Sequence, residues 1–236
     1  GVVTLTGVGF KISFIVTSSA LDYAQAVAVW LPAWIMEVKT LTLLFTLILT
    51  ALVCIVMGCG IPTTATYIIM VTVAAPALGM LGVEPIVAHF FVFYYGVLAD
   101  ITPPVAIAAY AAAGMAGADP FRTGNTAFRL ALGKALVPFV FVFSPSMLLV
   151  VKSFSWTEMV LATTGCIVGI VFLSAAFSNY FLTHTRAWER ALLALSAILL
   201  IAPEIWSSVL GLVLVAPVLA TQVLRMRDKG AGPALA

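Results

Sequence analysis

GCGIPTT at residues 58–64 interrupts TLTLLFTLILTALVCIVMGCGIPTTATYIIMVTVAAPALGM, residues 40–80, a stretch without a charged side chain. A second interruption, DITPP at residues 100–104, breaks the next apolar segment. Each break is made of proline, hydroxyls and small residues rather than of a charged loop. Backbone that leaves its helix at membrane depth is tolerated only where protein buries it or where it lines a watery cavity. The two breaks are therefore the candidate functional centre.

Helices over 40–58 and 63–80 either each cross the membrane or form a hairpin whose tip stops inside it. After Glu84 and Pro85 the second segment runs to Met115. Its halves, of about fifteen and eleven residues, are too short to span separately at about 20 residues per crossing. Together they suit one discontinuous crossing helix.

Upstream, residues 1–20 are apolar but carry Gly1, Gly7, Gly9 and Lys11, which suits either close backbone packing of a membrane helix or an irregular patch at the Thr-Gly-Val-Gly run. Residues 22–39 mix Asp22, Pro32, Glu37 and Lys39 with Trp30 and Trp34, which suits a loop or amphipathic segment at the interface. Downstream, a loop is expected over 117–134, then ordinary spans over 135–151 and 157–178 joined by a turn at 152–156. The loop 179–190 carries His184, Arg186, Glu189 and Arg190. Residues 191–222 are apolar with a break at Pro203-Glu204, giving two short helices or one bent span, and a basic tail follows from residue 225. The domain expectation is a unit over 1–150, C-terminal membrane helices over 151–224, and a cytoplasmic tail over 225–236.

Composition sets the class. Of 236 residues, 63% are hydrophobic and 8% charged, with mean hydropathy +1.19. A soluble domain is nearer a quarter charged, so the chain is an all-α integral membrane protein. The net charge of +2 is too small to imply nucleic acid. Cys54, Cys59 and Cys166 lack C-x-x-C spacing, and His89 and His184 are isolated, so neither a disulfide framework nor a metal centre is expected. The chain begins at Gly1 inside an apolar run, without methionine or a charged leader. It is expected to be a piece of a longer polypeptide, whose N-terminal part is then a partner.

Loop charge gives a sidedness. Loops 117–134 and 179–190 hold five of the eleven basic residues and the tail three more, which places them on the cytoplasmic face by the positive-inside rule. A hairpin and a pair of crossings both return the chain to its starting side. Charge therefore supports a single crossing for 84–116 and leaves the hairpin undecided.

Proline has no N–H, so each one frees the carbonyl four residues earlier. Those carbonyls belong to Gly58 for Pro62, and to Ala99 and Asp100 for Pro103 and Pro104. Proline also displaces the preceding residue from the α region, which makes Thr102 a candidate N-cap with Pro103 at the first helical position. Thr63 and Thr64 fall in the first turn after Pro62. Half-helix N-termini offer a site for a carboxylate, and carbonyls with threonine hydroxyls suit a hard cation such as Na+. Asp100 reinforces a site, because a carboxylate at the bilayer centre costs about 2.5–3.5 kcal/mol and such residues usually face a cavity.

The segments GVVTLTGVG (1–9), GCGIPTTATYIIMVTVAAPAL (58–78), EPIVAHFFVFYYGVLADITPPVAIAAYAAAGMAGADPFRTG (84–124) and VPFVFVFSPSMLL (137–149) resemble one family. It is the large membrane subunit of tripartite ATP-independent periplasmic (TRAP) transporters, in the fused form that works with TAXI-type binding proteins. The resemblance spans roughly residues 1–150. It implies the second of two inverted repeats of an elevator-type carrier in the bacterial inner membrane. The PTT segment would be the tip of a re-entrant hairpin and TPP the unwound middle of a discontinuous helix. It further implies Na+-coupled import of small organic acids delivered by a periplasmic binding protein, with Na+ as coupling ion and no other cofactor. By position, Gly58, Gly60, Pro62, Thr63 and Thr64 would line one side of a sodium and substrate site, with Thr102, Pro103 and Pro104 opposite, and the freed carbonyls and the carboxylate add Ala99 and Asp100 to the candidate site. Na+ itself would sit at Gly58, Thr63, Thr64 and Thr102. Asp100 departs from the small or neutral residue expected of the family, and Ser144 from an asparagine.

Three other functions compete. A divalent-anion/sodium symporter would need no binding protein, and a non-transporting membrane scaffold would be insensitive to changes at the breaks. An intramembrane aspartyl protease would need a second membrane aspartate near Asp100, which Asp119, in a basic loop, cannot supply.

Overall fold

The computed structural model describes residues 7–29, 37–152, 154–201 and 205–230. They form α1 (Val8–Ala28), α2 (Val38–Gly58), α3 (Thr63–Met80), α4 (Pro85–Ala99), α5 (Ile107–Ala116), α6 (Pro120–Ala131), α7 (Val137–Phe143), α8 (Trp156–Ser178), α9 (Ala187–Ile201) and α10 (Ile205–Gly230). Short 3-10 turns at Leu132–Leu136 and Pro145–Leu148 flank α7. The chain divides into two compact units, Gly1–Asn125 and Thr126–Ala236.

In the first unit α1 packs on α2 and α3, and α4 packs on the same two helices. Thr42, Thr46 and Thr50, spaced by four, place a buried hydroxyl stripe along α2. Burial is tolerated because these hydroxyls use their own helix: Thr42 donates to the Val38 carbonyl and Thr46 to that of Thr42, each at 2.8 Å. Ile48, Leu52, Val56 and Met57 are exposed on the same helix, as a lipid-facing surface requires. Pro76 lies inside α3 and removes the N–H that would serve the Thr72 carbonyl. Helix α1 closes over that point. A Cβ on Gly9 would stand 2.7 Å from the Thr72 carbonyl oxygen, and the buried Ser13 hydroxyl donates to the Val73 carbonyl. The glycine at position 9 thus does the close packing expected of it.

The second unit is held by α8, α9 and α10 around Phe172, Leu173, Leu193, Ala197, Val215 and Val218. A Cβ on Gly165 would lie 2.7 Å from the Leu200 carbonyl oxygen, so α8 and α9 meet backbone to side-chain-free backbone.

Several sequence expectations change. Residues 22–28, expected in a loop or amphipathic segment, belong to α1. Trp30, Pro32 and Trp34 lie outside the described residues, as do residues 1–6, the break at Pro203-Glu204 and residues 231–236. The expected loop 117–134 is helical from Pro120. Asp119 accepts the Arg122 N–H at 2.7 Å and Pro120 follows it, a capped start with proline at the first position. The expected span 135–151 is broken: α7 ends at Phe143, Ser144 leaves the helix, and Leu149 is left-handed. Pro145 has no N–H to continue the ladder. The apolar candidate span is instead Pro120–Phe143. Helix α10 continues to Gly230.

Candidate functional site

The two breaks meet within the first unit. Helix α2 ends at Gly58, and Gly60 takes a left-handed φ of 80°, a conformation glycine adopts without steric cost. Helix α3 restarts at Thr63 with Pro62 as its N-cap, so Thr63 and Thr64 occupy the first turn, as expected. On the other side, α4 ends at Ala99. A Cβ on Gly58 would stand 2.6 Å from the Ala99 Cβ, and one on Gly60 would lie 3.7 Å from Val105 Cγ1. Glycine at these positions lets the link between α2 and α3 lie against the unwound segment after α4.

One polar contact ties them. The Thr63 hydroxyl donates to Asp100 Oδ2 at 2.8 Å. Both residues are half-buried, and Thr64, Pro62, Gly60 and Pro104 are exposed. Among the described residues, Thr63 is the recorded partner of this carboxylate, and no basic side chain pairs with it.

The carbonyls freed by proline are not left bare. Gly58 O accepts the Ile61 N–H at 3.4 Å, Ala99 O that of Thr102 at 3.0 Å, and Asp100 O that of Ala108 at 3.2 Å. Each keeps one lone pair for a further partner. Thr102 is not the N-cap expected of it. After the Pro103-Pro104 pair, whose peptide bond is cis, the helix resumes only at Ile107, behind a left-handed Ala106. Pro104 displaces Pro103 from the α region, so the helix does not start directly after Thr102. The Thr102 hydroxyl, 7% exposed, instead turns back to the Leu98 carbonyl at 2.8 Å. Tyr110 of α5 reaches back to the Pro104 carbonyl at 2.7 Å and holds the end of the unwound segment.

His89 is hydrogen-bonded to the Tyr67 hydroxyl at 2.7 Å, joining α3 to α4. Among the described residues no three His, Cys, Asp or Glu side chains cluster as a metal site would require. A cavity bordered by Ser13, Thr50 and Met70 lies between α1, α2 and α3, about two turns along α3 from Thr63, and is not part of this arrangement.

The second unit holds a polar cluster that sequence reasoning missed. Glu189, fully buried, is ion-paired to Arg225. It also accepts the Arg186 backbone N–H at 2.8 Å, Gln222 Nε2 at 2.8 Å and the Thr221 hydroxyl at 3.1 Å. Gln222 Oε1 in turn accepts the backbone N–H and hydroxyl of Thr183 at 2.8 and 2.6 Å. Burial pushes the Glu189 carboxyl up, but the Arg186 N–H, Arg225, Thr221 and Gln222 together hold it below the usual carboxylate range. The legible signal was Glu189 three residues after Arg186 at a helix start, the spacing of a carboxylate that reaches back to its cap.

Among the described residues, five helices long and apolar enough to cross a membrane, together with two shorter apolar ones, define a multi-pass, all-α integral membrane protein. Residues 1–157 match the family model described as "Tripartite ATP-independent periplasmic transporter, DctM component", and the chain belongs to that family, the permease component of such transporters. Residues 159–227 match a domain of unknown function, DUF3394. Comparison with curated proteins and with solved structures returned no match.

Proposed function

We propose that this chain forms one transport repeat of a sodium-coupled permease that imports small organic acids handed over by a TAXI-type periplasmic binding protein. The observation that carries this reading is the Thr63–Asp100 hydrogen bond at 2.8 Å, which brings the two unwound segments to one place. One wall is then Gly58, Gly60, Pro62, Thr63 and Thr64, and the other Ala99, Asp100, Thr102, Pro103 and Pro104. Na+ is ligated by oxygen from Gly58, Thr63, Thr64 and Thr102. A hydroxyl that donates, as those of Thr63 and Thr102 do, keeps its lone pairs for a cation. The exposed N-terminal turn of α3 offers N–H groups to the substrate carboxylate.

In this reading the link between α2 and α3 is a re-entrant tip, α4 and α5 are halves of one discontinuous helix, and the repeat moves as an elevator in the bacterial inner membrane. The partners are the binding protein, a small membrane subunit or its fused equivalent, and the N-terminal part of the permease. The test is uptake of labelled organic acids by the complete transporter in proteoliposomes, with and without the binding protein, under an imposed Na+ gradient. Uptake that needs both supports the reading, and uptake indifferent to Na+ overturns its coupling.

A further inference from the structure

We propose that Tyr110 is a positioning residue for the site described above: its hydroxyl fixes the apex of the unwound segment, and Gly124 of α6 is the seat of its ring. The inference rests on the function proposed above and adds to it two residues outside either break.

The turn between α4 and α5 is closed at its base and held at its apex by different groups. At the base, the Ala108 N–H donates to the Asp100 carbonyl at 3.2 Å, and the Ala106 N–H to that of Thr102 at 3.1 Å. In a continuous helix the Ala108 N–H would serve Pro104. Diverted to Asp100, it leaves the Pro104 carbonyl to the Tyr110 hydroxyl, which donates to it at 2.7 Å. The Tyr110 N–H takes the Ala106 carbonyl at 3.0 Å. One residue thus holds the carbonyl of the left-handed Ala106 and that of Pro104 two positions before it. A non-glycine residue in that conformation persists only where its surroundings hold it.

The ring has a place made for it. Glycine inside a helix is less favourable than alanine, yet Gly124 stands in the second turn of α6 and is buried. A Cβ there would lie 2.7 Å from Tyr110 Cε1 and 3.4 Å from Ala106 Cβ. Alanine at this position displaces the ring rather than the helix, because a side chain yields more cheaply than backbone. Tyr110, Gly124 and the turn all belong to the first unit.

A binding wall set before its ligand arrives raises affinity by lowering the cost of ordering. Pro103 and Pro104 have no N–H of their own with which to hold that wall. Loss of the Tyr110 hydroxyl therefore loosens a wall that the ligand can still order. Binding weakens, and the rate at saturation is kept.

The experiment uses the complete permease with its binding protein in proteoliposomes, and reads initial rates of labelled organic acid uptake over a range of acid concentrations under a Na+ gradient. Hydrogen–deuterium exchange of the same purified permease is the second readout. Tyr110→Phe keeps the ring against Gly124 and removes the bond. It is expected to raise the apparent KM for the acid about fivefold, the worth of one net hydrogen bond, with kcat changed less than about twofold. Exchange is expected to quicken at residues 101–108 while α3 and α4 exchange as in wild type. Gly124→Ala is expected to do the same through the displaced ring. The double variant is expected to be no worse than the more affected single variant, because both changes act through one bond. Wild-type KM in both single variants, a fall in kcat at unchanged KM, or a double variant whose losses add overturns the proposal alone. Faster exchange with unchanged kinetics overturns it as well, since Tyr110 then holds a turn that does not serve transport. Absence of Na+-dependent uptake by wild type overturns the function proposed above, and this inference with it.

Discussion

Thr63, the first residue of α3, donates its hydroxyl to the Asp100 carboxylate at the end of α4, across 37 positions of sequence and 2.8 Å of space. Removing this hydroxyl tests what the contact does. Thr63→Ala is expected to lower Na+-dependent uptake by the complete transporter about tenfold or more at limiting Na+, with expression largely intact. Thr64→Ala, at an exposed position, is expected to impair uptake without loss of stability. Thr102→Ala removes a buried hydroxyl bonded to Leu98 and is expected to impair uptake and cost about 1 kcal/mol of stability as well. Uptake kinetics beside thermal unfolding in detergent separate the three.

The approach of α2 to α4 predicts a rescue. Gly58→Ala places a Cβ 2.6 Å from that of Ala99, and overpacking of this kind costs about 1–3 kcal/mol. Ala99→Gly in the same protein removes the obstructing atom. The double variant is expected to regain most of the lost melting temperature, whereas additive losses would mean that the two residues do not meet.

Adjacency of the breaks is open to cross-linking. With Cys54, Cys59 and Cys166 replaced, the pair Thr63→Cys and Asp100→Cys is expected to form a disulfide or a short bifunctional cross-link, read by mass spectrometry. The control pair Met80→Cys and Asp100→Cys is expected to form none, since Met80 ends α3 about 25 Å from Thr63 along the helix axis.

Glu189 gives a pH dependence. Its carboxyl is held below the usual range in the folded protein, so the stability it contributes is fully present above about pH 4.3, its unfolded value, and is lost as pH falls through the folded value. The melting temperature is expected to be insensitive to this group from pH 5 to 8 and to fall on further acidification. Glu189→Gln is expected to flatten that fall. Arg225→Ala leaves the buried carboxylate without its countercharge and is expected to destabilise by about 3–5 kcal/mol, measured by unfolding of the complete protein.

The helices on either side of the first break were legible because composition and proline position determine them: an uncharged run split by GCGIPTT could only become α2 and α3. The candidate site was legible as two polar interruptions, because each combines proline with hydroxyls in otherwise apolar sequence. The direction of each hydroxyl was not. Thr102 reads as a cap by its place before Pro103, but the choice between capping forward and bonding back to Leu98 depends on where the chain goes after Pro104, which two prolines and a left-handed Ala106 decide together. The short α7 was hidden for a related reason, because FVFSPSMLL is as apolar as a span and only Pro145 marks the break. The Glu189–Arg225 pair joins residues 36 positions apart in sequence, and no local pattern at Arg225 announces its partner.

Na+-dependent uptake in Thr63→Ala, Asp100→Asn and the double variant tests most directly whether the two breaks work as one site. If they do, loss of the Thr63 hydroxyl and loss of the Asp100 charge weaken Na+ binding at the same place, and the double variant's loss in apparent Na+ affinity is smaller than the sum of the two single losses. Strictly additive losses, or wild-type Na+ dependence in all three, would contradict a single site built from both breaks.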